Sequence, residues 1–319
     1  MKTRHKALSS LLLLVFSLFQ STTNSSAQPQ GDEVPVTPTD TITIFMPMIS
    51  TSNGLQTNPQ NGIIINHQSV ALFDSIPDSY IQAASRMKLL FRHASVGNNI
   101  DNGLNCMMDK IQPRPTYCDT DIPPSSIVYD PKYNRDLWDF EFHLPPPSQN
   151  PGWWEKVTLF TDRVDDMQID YDVVAFKFGY VDAYPGSEID NVFFANNASS
   201  PYPSIEDMEA LEARHSDKVI AYWTIGLARL TYSESQNFNR QMRSYATQHG
   251  KVLMDFADIE SHRPDGIPCY DNGGNGVEAL CQEYTEEING GHLNALGTQR
   301  MAKAIWVFMA RLAGWDGQP

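Results

Sequence analysis

A serine lies where an apolar run ends and a helical pattern begins, in the segment 93–97 (HASVG). A hydroxyl at such a turn can act as a nucleophile, because free N–H groups and a partial positive charge at a helix N-terminus stabilise a developing oxyanion. The alternative is that Ser95 or the nearby Asn98 only caps the helix, which these residue types most often do there. The turn taken alone favours the capping role.

A nucleophilic serine needs a base, and His292 is the best placed of the eight histidines. It follows Gly290 and Gly291 and precedes the last helical segment, and two glycines permit an unusual backbone path that could aim the imidazole. His93 lies in the same strand-like run as Ser95 and would face the same side, but it could equally be a packed strand histidine. The pair Ser95 and His292 therefore predicts nucleophilic catalysis.

Strand-like apolar runs alternate with segments of helical spacing along most of the chain. Because each run is apolar at nearly all positions, the alternation indicates a mainly parallel sheet covered by helices on both faces. Sites in such sheets lie outside the carboxyl ends of the strands, which is where Ser95 falls. The strand-like runs are 88–92, 172–178, 218–223 and 251–256, and the helical segments are 100–110, 153–166, 205–215, 236–248 and 293–312.

The stretch 112–152, between the first two strand-like runs, is predicted to be irregular. Long loops in compact domains are usually functional or disordered, and the aromatic content of this stretch argues against disorder. Its aromatic side chains could form a wall that stacks sugars or could pack against the sheet edge, and the sequence favours neither. They are Tyr129, Tyr133, Trp138, Phe140 and Phe142.

The N-terminus is typical of a secretory signal peptide, which is predicted over residues 1–27. Basic residues precede an apolar stretch at 7–19, and small residues follow at 25–27. Residues 28–79 are predicted to be a Pro/Thr-rich linker and N-terminal extension, in which 41–49 could be an edge strand. Residues 80–319 suffice for one α/β domain, and no later segment is apolar enough to span a bilayer. We therefore expect a secreted or extracytoplasmic protein without a transmembrane segment.

The charge and the cysteines restrict the partners and the compartment. A net charge of −15 repels a nucleic acid or an anionic membrane, so neither is an expected partner. The four cysteines fit an oxidising compartment, and their spacing is not that of a zinc site. We expect local disulfides, Cys106 with Cys118 and Cys269 with Cys281, and no metal or cofactor. The oligomeric state is left open.

Ser95 after the first strand, a late His292-Leu293 before the last helix, and the α/β alternation between them resemble the SGNH (GDSL-type) hydrolase superfamily. The segments 237–239 (NFN) and 252–255 (VLMD) resemble its later section. The resemblance covers about residues 86–314 and implies a flavodoxin-like three-layer α/β/α sandwich. It also implies cleavage of esters, or sometimes amides, through a Ser-His-Asp triad.

The sequence departs from the family pattern in the segments that carry the chemistry. The usual Gly-Asp-Ser is replaced by 93–95 (HAS), and Val181 stands where an asparagine serves the oxyanion hole. Asn289 occupies the position of the usual aspartate, before His292. A neutral amide can orient an imidazole but cannot stabilise an imidazolium as a carboxylate would. These departures indicate a divergent branch of the superfamily.

Further residues are candidates for supporting roles. Lys177 lies inside an otherwise apolar strand, and a buried ammonium needs a partner, for which Asp182 or Asp255 near the strand ends is expected. Lys177 could act as an electrophile or base near Ser95, or it could form only a structural ion pair. Gly152 could supply a backbone donor of the oxyanion hole.

Two functions are compatible with these residues. The first is an exported serine esterase, carboxylesterase- or acetylesterase-like, for which acyl groups on glycans are the favoured substrates. Ser95 would attack the acyl carbon, His292 would accept and return the proton, and Asn289 or an unidentified carboxylate would orient the ring. The second is a catalytically impaired carbohydrate-binding module that keeps the fold. Turnover of a simple ester distinguishes the two.

Overall fold

The structure is a computed structural model that describes residues 62–108, 115–119, 130–183, 188–189 and 203–318. The predicted signal peptide, the possible strand at 41–49 and most of the predicted linker lie outside the described residues. Within those residues, no helix combines the length and the apolar composition that crossing a bilayer requires.

Six strands form one parallel sheet, as the apolar runs of the sequence predict. The strands are β1 (Ile64–Ile65), β2 (Leu89–His93), β3 (Trp138–Phe142), β4 (Val173–Phe176), β5 (Val219–Trp223) and β6 (Val252–Met254). Their order in the sheet is β1-β6-β5-β4-β2-β3, and every paired neighbour is parallel. The α/β fold with helices on both faces of a parallel sheet is therefore confirmed.

Two hydrophobic cores cover the two faces of the sheet, because successive strand residues point to opposite sides. The helices are α1 (His67–Val70), α2 (Asp78–Arg86), α3 (Val96–Met108), α4 (Trp153–Asp165), α5 (Ile205–Arg214), α6 (Ser233–Gln248), α7 (Phe256–Glu260) and α8 (Ala295–Leu312). Leu89 and Phe91 of β2 pack in one core with helices α2, α3 and α8, whereas Leu90 packs in the other with α4, α5 and α6.

The stretch that the sequence predicts to be irregular contains an edge strand. All five residues of β3 pair with β2, and four of the five aromatic side chains singled out in this stretch pack against neighbouring rings, with Phe142 at 4.6 Å from His93. The Trp138 and Tyr133 rings lie 4.5 and 5.2 Å from the ring of Trp306 on α8, and Phe140 lies 5.0 Å from Phe91. Of the two alternatives for these side chains, packing on the sheet edge is the one observed. The fifth, Tyr129, lies outside the described residues.

The folded domain begins earlier than the predicted boundary at residue 80. Strand β1 pairs with β6 and extends the sheet at the edge opposite β3. Phe73 and Ile76, which follow α1, are buried in the same core as α8. Residues from about 62 onward therefore belong to the domain and not to a linker, because their side chains complete its core.

Both predicted disulfides are present. The Cα atoms of Cys106 and Cys118 are 5.6 Å apart, and those of Cys269 and Cys281 are 5.2 Å apart. Each bond closes a local loop, which restricts the unfolded chain more than the folded one. Inside the second loop, the Asp271 carboxylate accepts backbone N–H groups, as in a capped turn.

Candidate active site

Ser95 lies between the end of β2 and the start of α3, at the carboxyl edge of the sheet. Its φ is 46°, and among the described residues no other non-glycine residue has a positive φ. This conformation is strained for a residue with a Cβ, and such strain persists only where the surrounding structure maintains it. The turn holds the hydroxyl beside the positive end of the α3 dipole.

The imidazole of His292 contacts the Ser95 hydroxyl. Ser95 Oγ is 2.5 Å from His292 Nε2, although 197 residues separate the two along the chain. His292 belongs to the loop before α8, and α8 packs against α3, so this helix pair brings the two loops together. Asn99, one helical turn after Ser95, accepts a hydrogen bond from the Leu293 amide at 3.3 Å and ties the loops further.

A carboxylate holds the other side of the imidazole. Glu287 Oε1 is 2.8 Å from His292 Nδ1, and Glu287 Oε2 accepts the His292 backbone N–H at 3.0 Å. Burial alone would raise the pKa of Glu287, but the hydrogen bonds and the charge of His292 lower it below its ordinary value. The Ser95 hydroxyl, the His292 imidazole and the Glu287 carboxylate therefore form a continuous hydrogen-bonded chain. In this chain the carboxylate orients the ring through Nδ1, and Nε2 faces the hydroxyl.

The two glycines before His292 provide space for this arrangement. A Cβ at Gly290 would lie 1.8 Å from Glu287 Oε2, and a Cβ at Gly291 would lie 2.5 Å from the Leu227 carbonyl oxygen. Neither glycine has a positive φ among the described backbone angles. The two glycines thus allow neighbouring atoms to approach the backbone closely. They do not provide the unusual backbone path that the sequence suggests.

Of the two alternatives for the group that orients the imidazole, a carboxylate and not Asn289 contacts the ring. Asn289 is exposed, and the Nδ1 partner is Glu287, two residues earlier in the chain. The loop folds back on itself, so distance along the sequence does not determine which side chain reaches the ring. The acidic pair at 286–287 is the sequence signal that could have found it, since a carboxylate is the usual partner of a catalytic imidazole.

The amide expected to serve an oxyanion hole, that of Gly152, is already engaged, and the segment 179–182 offers no side-chain donor at Val181. Gly152 caps α4, and its N–H donates to Glu155 Oε2 at 3.0 Å. Gly179 donates to Asp182 Oδ2 at 2.7 Å, and Val181 is exposed and has no side-chain donor. The N-terminus of α3 lies beside Ser95 and its dipole favours negative charge there, while the Gly97 and Asn98 N–H groups donate to the Ala94 and Ser95 carbonyl oxygens.

Lys177 does not pair with either of its expected partners. Asp182 instead accepts a hydrogen bond from Lys156 Nζ at 2.5 Å, and Asp255 accepts one from Arg243 Nε at 2.6 Å. The two carboxylates pair with these residues because the Lys156 side chain on α4 and the Arg243 side chain on α6 extend from the helical layer to the strand ends. Asp182 therefore has a structural role, since its carboxylate holds a buried ammonium and the turn after β4.

Lys177 is itself fully enclosed. Its Nζ donates to the Phe178 carbonyl oxygen at 3.0 Å and lies 5.0 Å from the centre of the Phe256 ring. Burial lowers the pKa of Lys177, and burial likewise raises the pKa of Glu260, the acid whose charge acts most strongly on it. Its described contacts include neither Ser95 nor His292, which favours the structural alternative for this lysine.

A polar cavity adjoins the imidazole. Its volume is about 390 Å³, within the range of small-ligand sites. The lining comes from α3, from residues 116–119, and from the loop that carries Glu287 and His292. The lining residues are Asn99, Asn102, Thr116, Tyr117, Asp119, Glu286, Glu287, His292, Leu293, Asn294, Ala295 and Thr298.

One cluster of described residues has the composition of a cation site but not the geometry. His67, Asp258 and His262 place their ligand atoms within 4.8 Å of one another. The two imidazole rings are stacked, with centroids 4.0 Å apart and planes 11° apart, and His67 Nδ1 contacts Asp258 at 2.6 Å. A metal ion lies near the plane of each imidazole that binds it, so two parallel rings do not share one here. The cluster joins α1 to α7 by hydrogen bonds.

Comparison with known proteins gives distant structural similarities. No protein-family model matches the sequence, and no curated protein matches it. The structure is similar to a Bacteroides fragilis protein described as an acylhydrolase, with a TM-score of 0.40 and 12% identity over 71% of this chain and 88% of that one. It is also similar to a Desulfitobacterium hafniense protein described as a lipolytic protein of the G-D-S-L family. That TM-score is 0.39, with 11% identity over 71% of this chain and 99% of that one.

Proposed function

We propose that this protein is a serine esterase of the SGNH type that cleaves carboxylic esters. One observation carries the proposal: Ser95, His292 and Glu287 form an unbroken hydrogen-bonded array at the carboxyl edge of the sheet. The Ser95 and His292 side chains are brought together from distant parts of the chain, and a carboxylate completes the set. A capping serine needs no such partners.

The array accounts for each proton transfer of ester cleavage. His292 Nε2 accepts the Ser95 proton as Oγ attacks the acyl carbon, and Glu287 stabilises the imidazolium through Nδ1. His292 then protonates the leaving alcohol, and an acyl–Ser95 ester remains. A water molecule, deprotonated by His292, then attacks the acyl carbon of that ester. As the bond between the acyl carbon and Ser95 Oγ breaks and the acid leaves, His292 returns the proton to Ser95 Oγ. The α3 dipole favours the oxyanion of both tetrahedral intermediates.

The substrate and the location of the enzyme are further parts of the proposal. We favour acyl groups on glycans over lipid esters, because the cavity beside His292 is lined mainly by amide, hydroxyl and carboxylate groups. A lipid acyl chain or lipid alcohol would leave those groups without hydrogen bonds. Export is supported by the two disulfides, which persist in oxidising compartments.

Hydrolysis of p-nitrophenyl acetate by the purified protein tests the proposal. We expect Ser95→Ala to lower kcat/KM by about a thousandfold or more, as loss of a nucleophile does elsewhere. Ser85→Ala, which alters a helix hydroxyl bonded to the Ile81 carbonyl, is the matched control and should retain the rate. A fluorophosphonate probe should label the native protein at Ser95. Equal residual rates in native and Ser95→Ala protein would favour a carbohydrate-binding module without activity.

A further inference from the structure

A tyrosine packs against the His292 imidazole, on a part of the ring that neither of its hydrogen bonds uses. The centres of the Tyr180 and His292 rings are 5.8 Å apart and their planes are 88° apart, an edge-to-face contact at a distance that aromatic pairs favour. The ring nitrogens are engaged elsewhere, Nδ1 with Glu287 and Nε2 with Ser95. Tyr180 therefore contacts the imidazole through its remaining surface.

The turn that carries Tyr180 is held by a buried ion pair. Residues 179–182 follow β4, whose neighbour in the sheet is β2, the strand that leads to the nucleophile. The Gly179 N–H and Lys156 Nζ both donate to Asp182 Oδ2, at 2.7 and 2.5 Å, and the Asp182 N–H donates to the Gly179 carbonyl oxygen at 3.1 Å. These bonds fix the turn, and so they fix where the tyrosine side chain starts.

The Tyr180 ring also packs against the residue before His292. A Cβ at Gly291 would lie 2.5 Å from Tyr180 Cδ1 and 2.8 Å from Cε1, and carbon atoms in contact are normally about 3.5–4.0 Å apart. On its other side Tyr180 packs against the core that α2, α3 and α8 share. The ring thus lies between that core and the loop of the imidazole, and Gly291 leaves the space that it occupies.

The charge state of Tyr180 fits packing and not proton transfer. Burial, followed by the negative charge of Glu287, raises the pKa of Tyr180 above its ordinary value of about 10. The phenol is therefore protonated at neutral pH and does not compete with His292 as a base. What Tyr180 contributes to the site is its ring.

We infer that Tyr180 is a positioning residue for the proposed esterase reaction, on which the inference rests: its ring limits the movement of the imidazole that Glu287 orients, and so keeps His292 Nε2 at Ser95 Oγ. The His292 side chain is 44% exposed, so much of its surface faces solvent and is not restricted by packing. A displacement of about 1 Å between reacting groups can lower a rate by about a hundredfold.

Three substitutions of Tyr180 test the inference through hydrolysis of p-nitrophenyl acetate. Tyr180→Ala should lower kcat by about tenfold to a hundredfold with a much smaller change in KM, because the imidazole is misplaced and the bound ester is not. Tyr180→Phe keeps the ring and should retain kcat to within about twofold, since the contact is one of ring against ring. Tyr180→Leu fills most of the space without a flat ring, and its kcat should lie between those of the other two variants.

Tyr80→Ala is the matched control. Tyr80, on α2, is also a partly buried tyrosine packed against the same core, and none of its described contacts is with His292. It should lower the resistance to urea without lowering kcat. Native kcat in Tyr180→Ala, equal losses in the Ala and Phe variants, a loss confined to KM, or an equal loss of kcat in Tyr80→Ala would each overturn the inference.

Crystal structures of the native protein and of a Tyr180 variant provide a measurement that does not depend on activity. In Tyr180→Ala, or in Tyr180→Leu if the alanine variant does not fold, the imidazole should be displaced from Ser95 Oγ or should occupy more than one position. An imidazole that keeps its native position and its contact with Ser95 would overturn the inference. If the native protein shows no Ser95-dependent cleavage of any ester, the esterase function fails, and a displaced imidazole in the variant would still support the positioning role.

Discussion

Glu287 holds His292 at two points, since one carboxylate oxygen contacts the ring Nδ1 at 2.8 Å and the other accepts the backbone N–H at 3.0 Å. The two contacts fix both the orientation of the ring and the turn of the chain that carries it. The Cβ-free Gly290 allows the carboxylate to fold back against this turn. A single side chain therefore positions the imidazole that faces Ser95.

Glu287→Gln should lower kcat for p-nitrophenyl acetate by about a hundredfold or more, because a neutral amide cannot stabilise the imidazolium and can favour the wrong tautomer. Steady-state kinetics of p-nitrophenyl acetate hydrolysis by the native and variant proteins measure the loss.

Two further variants control for folding of this loop. Asn289→Ala should keep most of the native rate, because that side chain is exposed and the ring is oriented by Glu287. Glu287→Asp should restore part of the activity lost in the glutamine variant. A large loss in Asn289→Ala, with little loss in Glu287→Gln, would contradict this assignment.

Gly97→Ala should destabilise the protein and reduce activity. A Cβ at this position would lie 2.3 Å from the Cβ of His93, in the turn that presents Ser95. We expect a loss of about 1–3 kcal/mol in the free energy of unfolding, typical of overpacked sites. Urea denaturation measures it, and Asn98→Ala, at the exposed neighbouring position, is the control. If Gly97→Ala is as stable as the native protein, the His93 side chain can move away from the added Cβ with little loss of free energy, which would contradict this prediction.

Substitutions of Lys156 and Asp182 should have strongly non-additive effects on the free energy of unfolding. Their side chains are 0% and 7% exposed, and the Nζ to Oδ2 distance is 2.5 Å. Asp182→Asn alone leaves a buried ammonium without its counter-charge and should cost about 3–5 kcal/mol. Adding Lys156→Met should recover part of this loss, which a double-mutant cycle in urea measures. Additive losses would contradict a direct interaction.

Stability should fall in acid because of His93. Burial, followed by the charge of Lys177, lowers the pKa of His93 to about 3. The unfolded chain protonates this group near its ordinary pKa of about 6.5. Between these values the unfolded state binds more protons, so the free energy of unfolding decreases as pH falls, by at most about 1.4 kcal/mol per pH unit from this group.

His93→Phe, which keeps an aromatic ring beside Phe91 and Phe142, should make that decrease shallower. It should not abolish the decrease, because burial also keeps the pKa of His143 well below its ordinary value. Urea titrations at several pH values between 4 and 7 measure the slope. An unchanged slope would mean that His93 is protonated in the folded protein.

The sequence by itself determined the layer structure. The apolar runs before Ser95 and at 172–178, 218–223 and 251–256 each contain an observed strand, because a strand buried on both faces needs apolar residues at nearly every position. Strand β3 could not be predicted in this way, because it is not apolar at nearly every position. It lies at the sheet edge, and its WDFEF alternation includes charged residues that are only partly buried. The disulfides were also predictable, since short loops restrict the choice of partner.

The tertiary structure decided how the candidate residues meet. Ser95 and His292 could be named from their local settings, but their 2.5 Å contact depends on the packing of α3 against α8. Only the folded loop shows that Glu287 reaches the imidazole while Asn289 points to solvent. The partners of Asp182 and Asp255 were likewise set by the packing of helices α4 and α6, which carry Lys156 and Arg243. Local patterns record which side chains must be buried, whereas electrostatic partners depend on three-dimensional distance, which spacing along the chain does not encode.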